Sequence, residues 1–303
     1  MADGSQHSMA YVAESTYGVT PATPTFKAIR NTGTTLALTK EGSASEELRS
    51  DRQITDYRHM NKSVGGDISI NLSYGSFDDL LEGATMGTWT GDKLVVGTTR
   101  RSFTIERKFG DIPDKPYHRY TGCEVNTLNL TVAPGARVSG SFGIMGKNMT
   151  PEAAALSGAD YEAETTTQVF DSFKGVIKEG STGLAVVTEV TLTLENGLES
   201  RFVVGSDTTI QPGAGRSNVT GQLSAYFENS TLLEKFLNES ASSLEFSLVD
   251  AAGNTYLFTL PKIKYTGGQV DVSGEGAIIL PLPFQAVYDE TKGTNLIIER
   301  TAA

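Results

Sequence analysis

Reactive side chains are scarce in this chain. Cys123 is the single cysteine among 303 residues, and His7, His59 and His118 are the three histidines. A thiolate nucleophile needs a base beside it, and a structural zinc site needs several thiolate or imidazole ligands. One cysteine excludes an intramolecular disulfide framework and a multi-cysteine zinc site, and three scattered histidines leave little for a triad. The stretch Gln211-Pro212-Gly213-Ala214-Gly215-Arg216-Ser217 resembles a phosphate cradle, but it lacks the Gly-Lys-Ser/Thr ending and leads into a strand pattern, so it reads as a loop. Asp250 to Asn254 is too short for a calcium loop and has no terminal glutamate. Asp78 and Asp79 form a carboxylate pair that a helix start explains. Asn71, Asn129, Asn148 and Asn218 head Asn-X-Ser/Thr triplets, read as composition. No catalytic set, metal site or cofactor is expected.

The elements that would carry any site are strands. Lys plus Arg is 25 against 36 Asp plus Glu, a net charge of −11. That balance excludes a chain whose main task is gripping DNA or an anionic membrane. Mean hydropathy is −0.20, and no apolar run is long enough to span a bilayer. Met1 to Ala10 lacks a basic and then apolar leader pattern, so no secretory signal is expected. Apolar residues alternate with polar ones at 67–72, 102–105, 128–132, 188–194, 244–248 and 256–260, which predicts half-buried strands. Asp250 to Asn254 reads as a hairpin turn between the last two. Helices are predicted from Ser76 and from Thr231, each opened by a hydroxyl cap with an acid three residues on. A third, short helix is predicted over 151–156, with Thr150 as its cap and Gly158 as its end.

The pattern recurs. Ser63-Val64-Gly65-Gly66-Asp67-Ile68-Ser69-Ile70 matches Asn218-Val219-Thr220-Gly221-Gln222-Leu223-Ser224-Ala225, and each is followed by a capped helix. Tyr120-Thr121-Gly122-Cys123 then matches Tyr265-Thr266-Gly267-Gly268, and a Gly-Ala step and a strand with Phe142 or Phe284 follow. The shared order implies duplication. It divides the chain into an N-terminal arm (1–26), a first copy (27–150), a linker with a short helix (151–184) and a second copy (185–303). On this alignment Gly268 takes the place of Cys123, which makes a nucleophilic role for the thiol improbable.

Ala13-Glu14-Ser15-Thr16-Tyr17-Gly18-Val19-Thr20-Pro21, Phe26, Arg30-Asn31-Thr32-Gly33, Glu46-Glu47-Leu48-Arg49 and Leu282-Pro283-Phe284-Gln285 together resemble the major tail tube proteins of long, non-contractile-tailed phages. The resemblance spans nearly the whole chain. It implies a mainly β, duplicated tail-tube-type antiparallel β-sandwich or half-barrel, with one flanking helix per copy. It also implies a structural virion protein, not an enzyme, that is assembled in the host cytoplasm into the phage tail. The expected partners are further copies of itself in trimeric pseudo-hexameric rings, with tape-measure, tail terminator and distal tail proteins; genomic DNA passes through without sequence-specific binding, and no membrane is involved. A minor tail, baseplate or decoration protein is the alternative, followed by a receptor- or carbohydrate-binding module using Trp89.

Two residue sets are expected to do the work. Wall strands over 63–74, 120–146, 218–228 and 265–287 would put Ile68, Ile70, Leu72, Val270 and Val272 in the core. Asp67, Ser69, Asn71, Asp271, Ser273 and Glu275 would then face the lumen, where acids and hydroxyls repel or release phosphate. The charged stretch 40–62 reads as a long loop, with Glu46, Glu47, Arg49, Asp51, Arg52, Asp56 and Arg58 making inter-ring contacts. The arm 1–26, with little core material, would pack on a neighbour.

Overall fold

Apolar–polar alternation becomes strand at each of these stretches, in a computed structural model that describes residues 3–172, 174–180, 182–272 and 274–303. Successive strand residues face opposite sides, so Ile68, Ile70, Leu72, Leu192 and Leu194 are buried while Asp67, Ser69, Thr191 and Thr193 reach solvent. The molecule is mainly β, dominated by one 19-stranded sheet system, with two helices.

The first half contains β1 (His7–Ala13), β2 (Ala37–Ala44), β3 (Tyr57–Asn71), α1 (Asp78–Thr85), β4 (Phe103–Phe109), β5 (Tyr117–Val132), β6 (Ser139–Gly146) and β7 (Asn148–Glu152). The second half repeats that order with β8 (Ile177–Glu179), β9 (Val187–Glu195), β10 (Asn218–Tyr226), α2 (Thr231–Leu237), β11 (Ser242–Val249), β12 (Thr255–Tyr265), β13 (Ile279–Ala286) and β14 (Ile297–Thr301). The pairing repeats as well. Antiparallel ladders join β1 to β4, β2 to β3, β3 to β6, β4 to β5, β5 to β6 and β5 to β7. Their counterparts join β8 to β11, β9 to β10, β10 to β13, β11 to β12, β12 to β13 and β12 to β14. Even an irregularity recurs: β4–β5 slips between Phe103↔Cys123 and Ile105↔Tyr120, and β11–β12 slips between Ser242↔Ile263 and Leu244↔Leu260.

One local device sets the first register of each half. A Cβ on Gly66 would lie 2.5 Å from the Thr35 carbonyl oxygen, and one on Gly221 would lie 2.1 Å from that of Thr191. Only glycine lets the backbones approach this closely. The same threonines accept from the next amide: Asp67 N to Thr35 Oγ1 at 2.8 Å, and Gln222 N to Thr191 Oγ1 at 3.1 Å.

The halves fuse edge to edge. The C-terminal part of β5 pairs with β9, placing Leu128 opposite Leu194, Leu130 opposite Leu192 and Val132 opposite Val190. Asn196, buried just past β9, donates to the Ala84 carbonyl in the last turn of α1 at 2.8 Å and to the Val125 carbonyl at 3.0 Å. Asn126 returns the contact, its Oδ1 accepting from Leu198 N at 2.8 Å. At the other end of α1, the Asp78 carboxylate takes the Tyr256 hydroxyl and the Arg300 guanidinium. Strand β14 also pairs with the short strand Lys93–Val95 of the first half.

Several expectations give way. Residues 148–152 are the strand β7, with Pro151 opposite His118, and Ala153 to Ala155 are exposed in no helix. Those alanines have helix propensity but no apolar face to bury, whereas the ladder to β5 satisfies the backbone. Residues 7–13, placed in an arm with little core material, form β1 with Met9 and Tyr11 buried, and Phe26 is buried too. Helix α1 starts at Asp78, and Ser76 bonds the Ser73 and Thr165 hydroxyls instead of capping it. At α2, Asn229 Oδ1 accepts from Thr231 N. The repeat alignment shifts after the helices: Cys123 corresponds to Ile263, not Gly268, since both stand at the slipped pair, and Phe284, opposite Gly221, corresponds to Ile144, opposite Gly66. Beyond Tyr265, residues 266–272 form no strand, and Val272 is exposed.

His7 on β1 and His118 on β5 flank the Phe109 ring, at 5.1 and 4.9 Å. Arg107 Nε donates to His7 Nε2 at 3.1 Å, which requires neutral imidazole there. Burial first, and the Arg107 charge second, hold both histidines below the usual 6.5. The folded state therefore binds protons less readily than the unfolded chain, and stability falls as pH drops below 6.5 through the lowered native values. The thermal midpoint is expected to fall from pH 6.5 toward 5, with a shallower slope in His7→Gln/His118→Gln; equal slopes would remove this account. Separately, Asn196→Ala strands two buried carbonyls and is expected to cost about 2–3 kcal/mol, read as a lower urea midpoint.

Candidate functional site

The polar face of the joined sheet carries three rows of side chains across both halves. One row runs Asp67, Gly143, Thr127, Glu195, Asn218. The next runs Ser69, Ser141, Asn129, Thr193, Thr220, Gln285. The third runs Asn71, Ser139, Thr131, Thr191, Gln222, Pro283. Cross-strand neighbours are close enough to bond. Asn129 Nδ2 donates to Ser141 Oγ at 3.2 Å, and Thr193 Oγ1 donates to Asn129 Oδ1 at 2.9 Å across the β5–β9 junction. A Cβ on Gly143 would lie 2.1 Å from Thr127 Oγ1 and 3.1 Å from Asp67 Oδ1, so glycine makes room for both. Charge on these rows comes from Asp67 and Glu195 and from the exposed Lys264 of β12, which stands opposite Gln285 and continues the second row. The face is hydroxyl- and amide-rich, and two acids against one lysine leave it weakly acidic.

The opposite face is core. It aligns Ile68, Phe142, Leu128, Leu194 and Val219, all buried. The six lumen candidates therefore divide. Asp67, Ser69 and Asn71 stand together on the polar face. Asp271 and Glu275 are exposed in the irregular segment after β12, and Ser273 lies outside the described residues.

At the end of the sheet where β3 begins and β9 finishes, two connections project. The expected loop 40–62 is largely hairpin, because β2 and β3 run on as a ladder to Ala44↔Tyr57. Its tip carries Glu46, Glu47, Arg49, Asp51, Arg52, Asp56 and Arg58, all exposed. Arg49 pairs with Asp51 at 2.6 Å and Arg58 with Asp56 at 3.0 Å. The hydrogen bond to Arg49 lowers the Asp51 pKa. Leu48, Ile54 and Tyr57 are exposed apolar residues of the same tip. The connection 196–217 of the second half stands beside this hairpin, with Lys62 paired to Asp207 at 3.0 Å. Its small ladder of Glu199–Arg201 with Ile210–Gly213 holds up Phe202, Val203 and Val204, all exposed. These three were not singled out from sequence; a run of apolar residues inside a polar turn region is the signal that marks them.

The reactive residues are placed structurally. Cys123 is fully buried, and burial pushes its thiol pKa well up. Trp89 is packed against the core, its ring 4.4 Å from the Arg300 guanidinium, which leaves it poorly suited as a sugar platform. Glu14 is enclosed by donors, accepting from Gly18 N at 2.7 Å, Ser102 Oγ at 2.7 Å, Thr104 Oγ1 at 2.8 Å and Gly122 N at 2.9 Å. Among the described residues, no group of His, Cys, Asp and Glu is arranged to hold a metal ion.

A family model described as phage tail tube protein matches residues 4–286. No curated protein matches the chain.

Proposed function

The chain belongs to the phage tail tube protein family, and from that premise we propose that it is the major tube subunit of a long, non-contractile phage tail. Three copies close into a ring of about 97 kDa (three chains of 32.3 kDa), rings stack into a hollow tube, and the genome passes through. The observation that carries this reading is the β5–β9 junction. Within one chain β5, the wall strand at one edge of the first half, pairs with β9, the wall strand at the facing edge of the second. The counterparts of those two strands are left open: the outer edge of β2 has no second strand among the described residues, and 266–272 follow β12 where the end of β5 follows its own outer ladder. Pairing 266–272 of one copy with residues 34–39 of the next repeats the internal junction between chains, and three such joints close a six-unit ring.

The proposed ring has roughly 24 wall strands. At about 4.8 Å per strand and a tilt near 45°, its backbone is about 50 Å across, and side chains narrow this to about 40 Å. The core face must stay dry, so the polar face lines the bore. Asp67, Ser69, Asn71, Asp271 and Glu275 belong to this lining, joined by Glu195. A hydroxyl-rich wall on which sparse acids outnumber the single Lys264 repels phosphate within a Debye length of about 8 Å, which lets DNA slide. The charged hairpin tip from Glu46 to Arg58 contacts the adjacent ring, where mixed signs set register. Tape-measure, tail terminator and distal tail proteins are the proposed partners, met during assembly in the host cytoplasm.

Negative-stain microscopy with mass measurement tests the reading: rings or tubes with three chains per ring are expected, and rings of six chains would overturn the trimer. Deleting 45–57 is expected to leave rings and abolish tubes; intact tubes would remove the hairpin's stacking role. Asp67→Lys/Glu195→Lys is expected to assemble normally and slow genome ejection, more so at low salt. Ejection kinetics matching the wild type at every ionic strength would count against a luminal polar face.

A further inference from the structure

The two helices carry the same Leu-Leu-Glu triplet, yet their surroundings differ. Leu80 and Leu81 of α1 are 0% exposed. Leu232 and Leu233 of α2 are only partly buried, no residue of α2 is fully buried, and Leu237 is 66% exposed. Part of the cover over α1 comes from the other half: β9 lies against it, and Asn196 donates to the Ala84 carbonyl in its last turn at 2.8 Å. Among the described residues, no strand covers α2 in this way.

The registers say which residues would. Leu38 stands opposite Val64 as Leu194 stands opposite Val219, and Val64 and Val219 are the matched residues of β3 and β10. Two residues further along, Lys40 corresponds to Asn196. The Ala84 carbonyl, two residues past Glu82, corresponds to that of Phe236, two past Glu234. The uncovered helix is also continuous with the open edge: a Cβ on Gly268 would lie 3.2 Å from Leu233 Cδ1 and 3.3 Å from Phe236 Cδ1, so α2 sits directly behind residues 266–272. Val272, 70% exposed, extends the apolar surface along that edge.

We propose that the outer face of α2, with Val272, is a docking surface for residues 34–40 of a second copy of this chain, and that Lys40 of that copy takes the place against α2 that Asn196 holds against α1. The occupant is identified by the internal junction, which already shows one such segment seated on one such helix. Lysine suits the position, since the last-turn carbonyls of a helix carry partial negative charge and favour a cation. The apolar residues of α2 supply the burial, and Lys40 supplies orientation. This inference rests on the ring reading above and adds a surface that strand pairing alone does not require.

Two cysteine pairs separate the two claims, with Cys123 buried and out of reach of reagent. In the full chain, Lys40→Cys/Leu237→Cys and, independently, Ala37→Cys/Gln269→Cys, the counterparts of the facing Thr193 and Asn129, are assembled and treated with a short bis-maleimide. Both pairs are expected to link chains into covalent dimers and trimers in the assembled protein, with no such links from the single variants. Links from 37/269 without links from 40/237 would overturn the helix surface and leave the ring standing. Links from neither pair in assembled protein would overturn both. Leu237→Asp, at an exposed position, is expected to leave the circular dichroism spectrum unchanged and raise the concentration for half-assembly about tenfold, equivalent to about 1.4 kcal/mol. An unchanged assembly concentration would likewise overturn the helix surface.

Discussion

A strand at a sheet edge presents unpaired N–H and C=O groups, and a protein must cover, pair or blunt them. Within this chain one potential pair of edges has been removed by pairing β5 with β9. That joint determines much else. It aligns the polar rows of both halves into one face, brings Asn196 over α1, and extends the apolar rows into a core shared by both halves. Without it each half would carry a further raw edge, and the halves would be held only by smaller contacts such as β14 on Lys93–Val95 and Asp78 with Tyr256 and Arg300.

The joint needs both halves in the same register, and the sequence places the same small device in each. Gly66 with Thr35, and Gly221 with Thr191, pack backbone against backbone and tie the following amide to a hydroxyl. A one-residue slip would turn the apolar row outward. The device is steric at the glycine and polar at the threonine, so neither a larger residue nor a non-bonding one preserves it. This is why the short Gly-containing match between 63–70 and 218–225 held while the later Tyr-Thr-Gly match did not. The first sits on a constrained crossing. The second is a tripeptide whose two occurrences differ in place: Tyr120 lies opposite Ile105 in the outer ladder, and Tyr265 lies opposite Phe284 in the wall.

Period-two alternation made the strands legible, because it is dictated locally by which face is dry. Pairing between distant strands was not legible. Nothing local to 297–301 announces that it bridges Lys93–Val95 and β12, or that Arg300 will reach Asp78 and lie over Trp89. The helix expected at 151–156 failed for the same reason, since local composition favoured a helix and a remote ladder to β5 won. For the candidate site, the alternation at Asp67, Ser69 and Asn71 gave their common face, and charge density marked the hairpin tip from Glu46 to Arg58. Phe202, Val203 and Val204 gain meaning only from their position beside that hairpin, which the Lys62–Asp207 pair shows and spacing does not.

The halves differ at their outer edges. The first half has a long β5 paired with β9 and a covered α1; the second has, after β12, residues 266–272 without a strand and α2 with its leucines half exposed. Giving those residues strand geometry costs roughly 1–2 kcal/mol each in backbone entropy, against which the segment sets the bond of Thr266 to the Pro283 carbonyl and the packing of Val270 on the core but no ladder. In the proposed ring the cost is met by a neighbour's edge hydrogen bonds and by burial of α2 together, since the two surfaces are contiguous. Neither term is large alone: ladder bonds net about 1 kcal/mol each, and a half-exposed leucine gains less than a fully exposed one. Closure is then cooperative. The first two inter-chain joints each order a segment and immobilise a further chain, and the third joint, which closes the ring, orders its segment without costing the translational and rotational freedom of another chain. Such an assembly favours free chains or whole rings over partial ones, as a tube extended by the addition of complete layers requires.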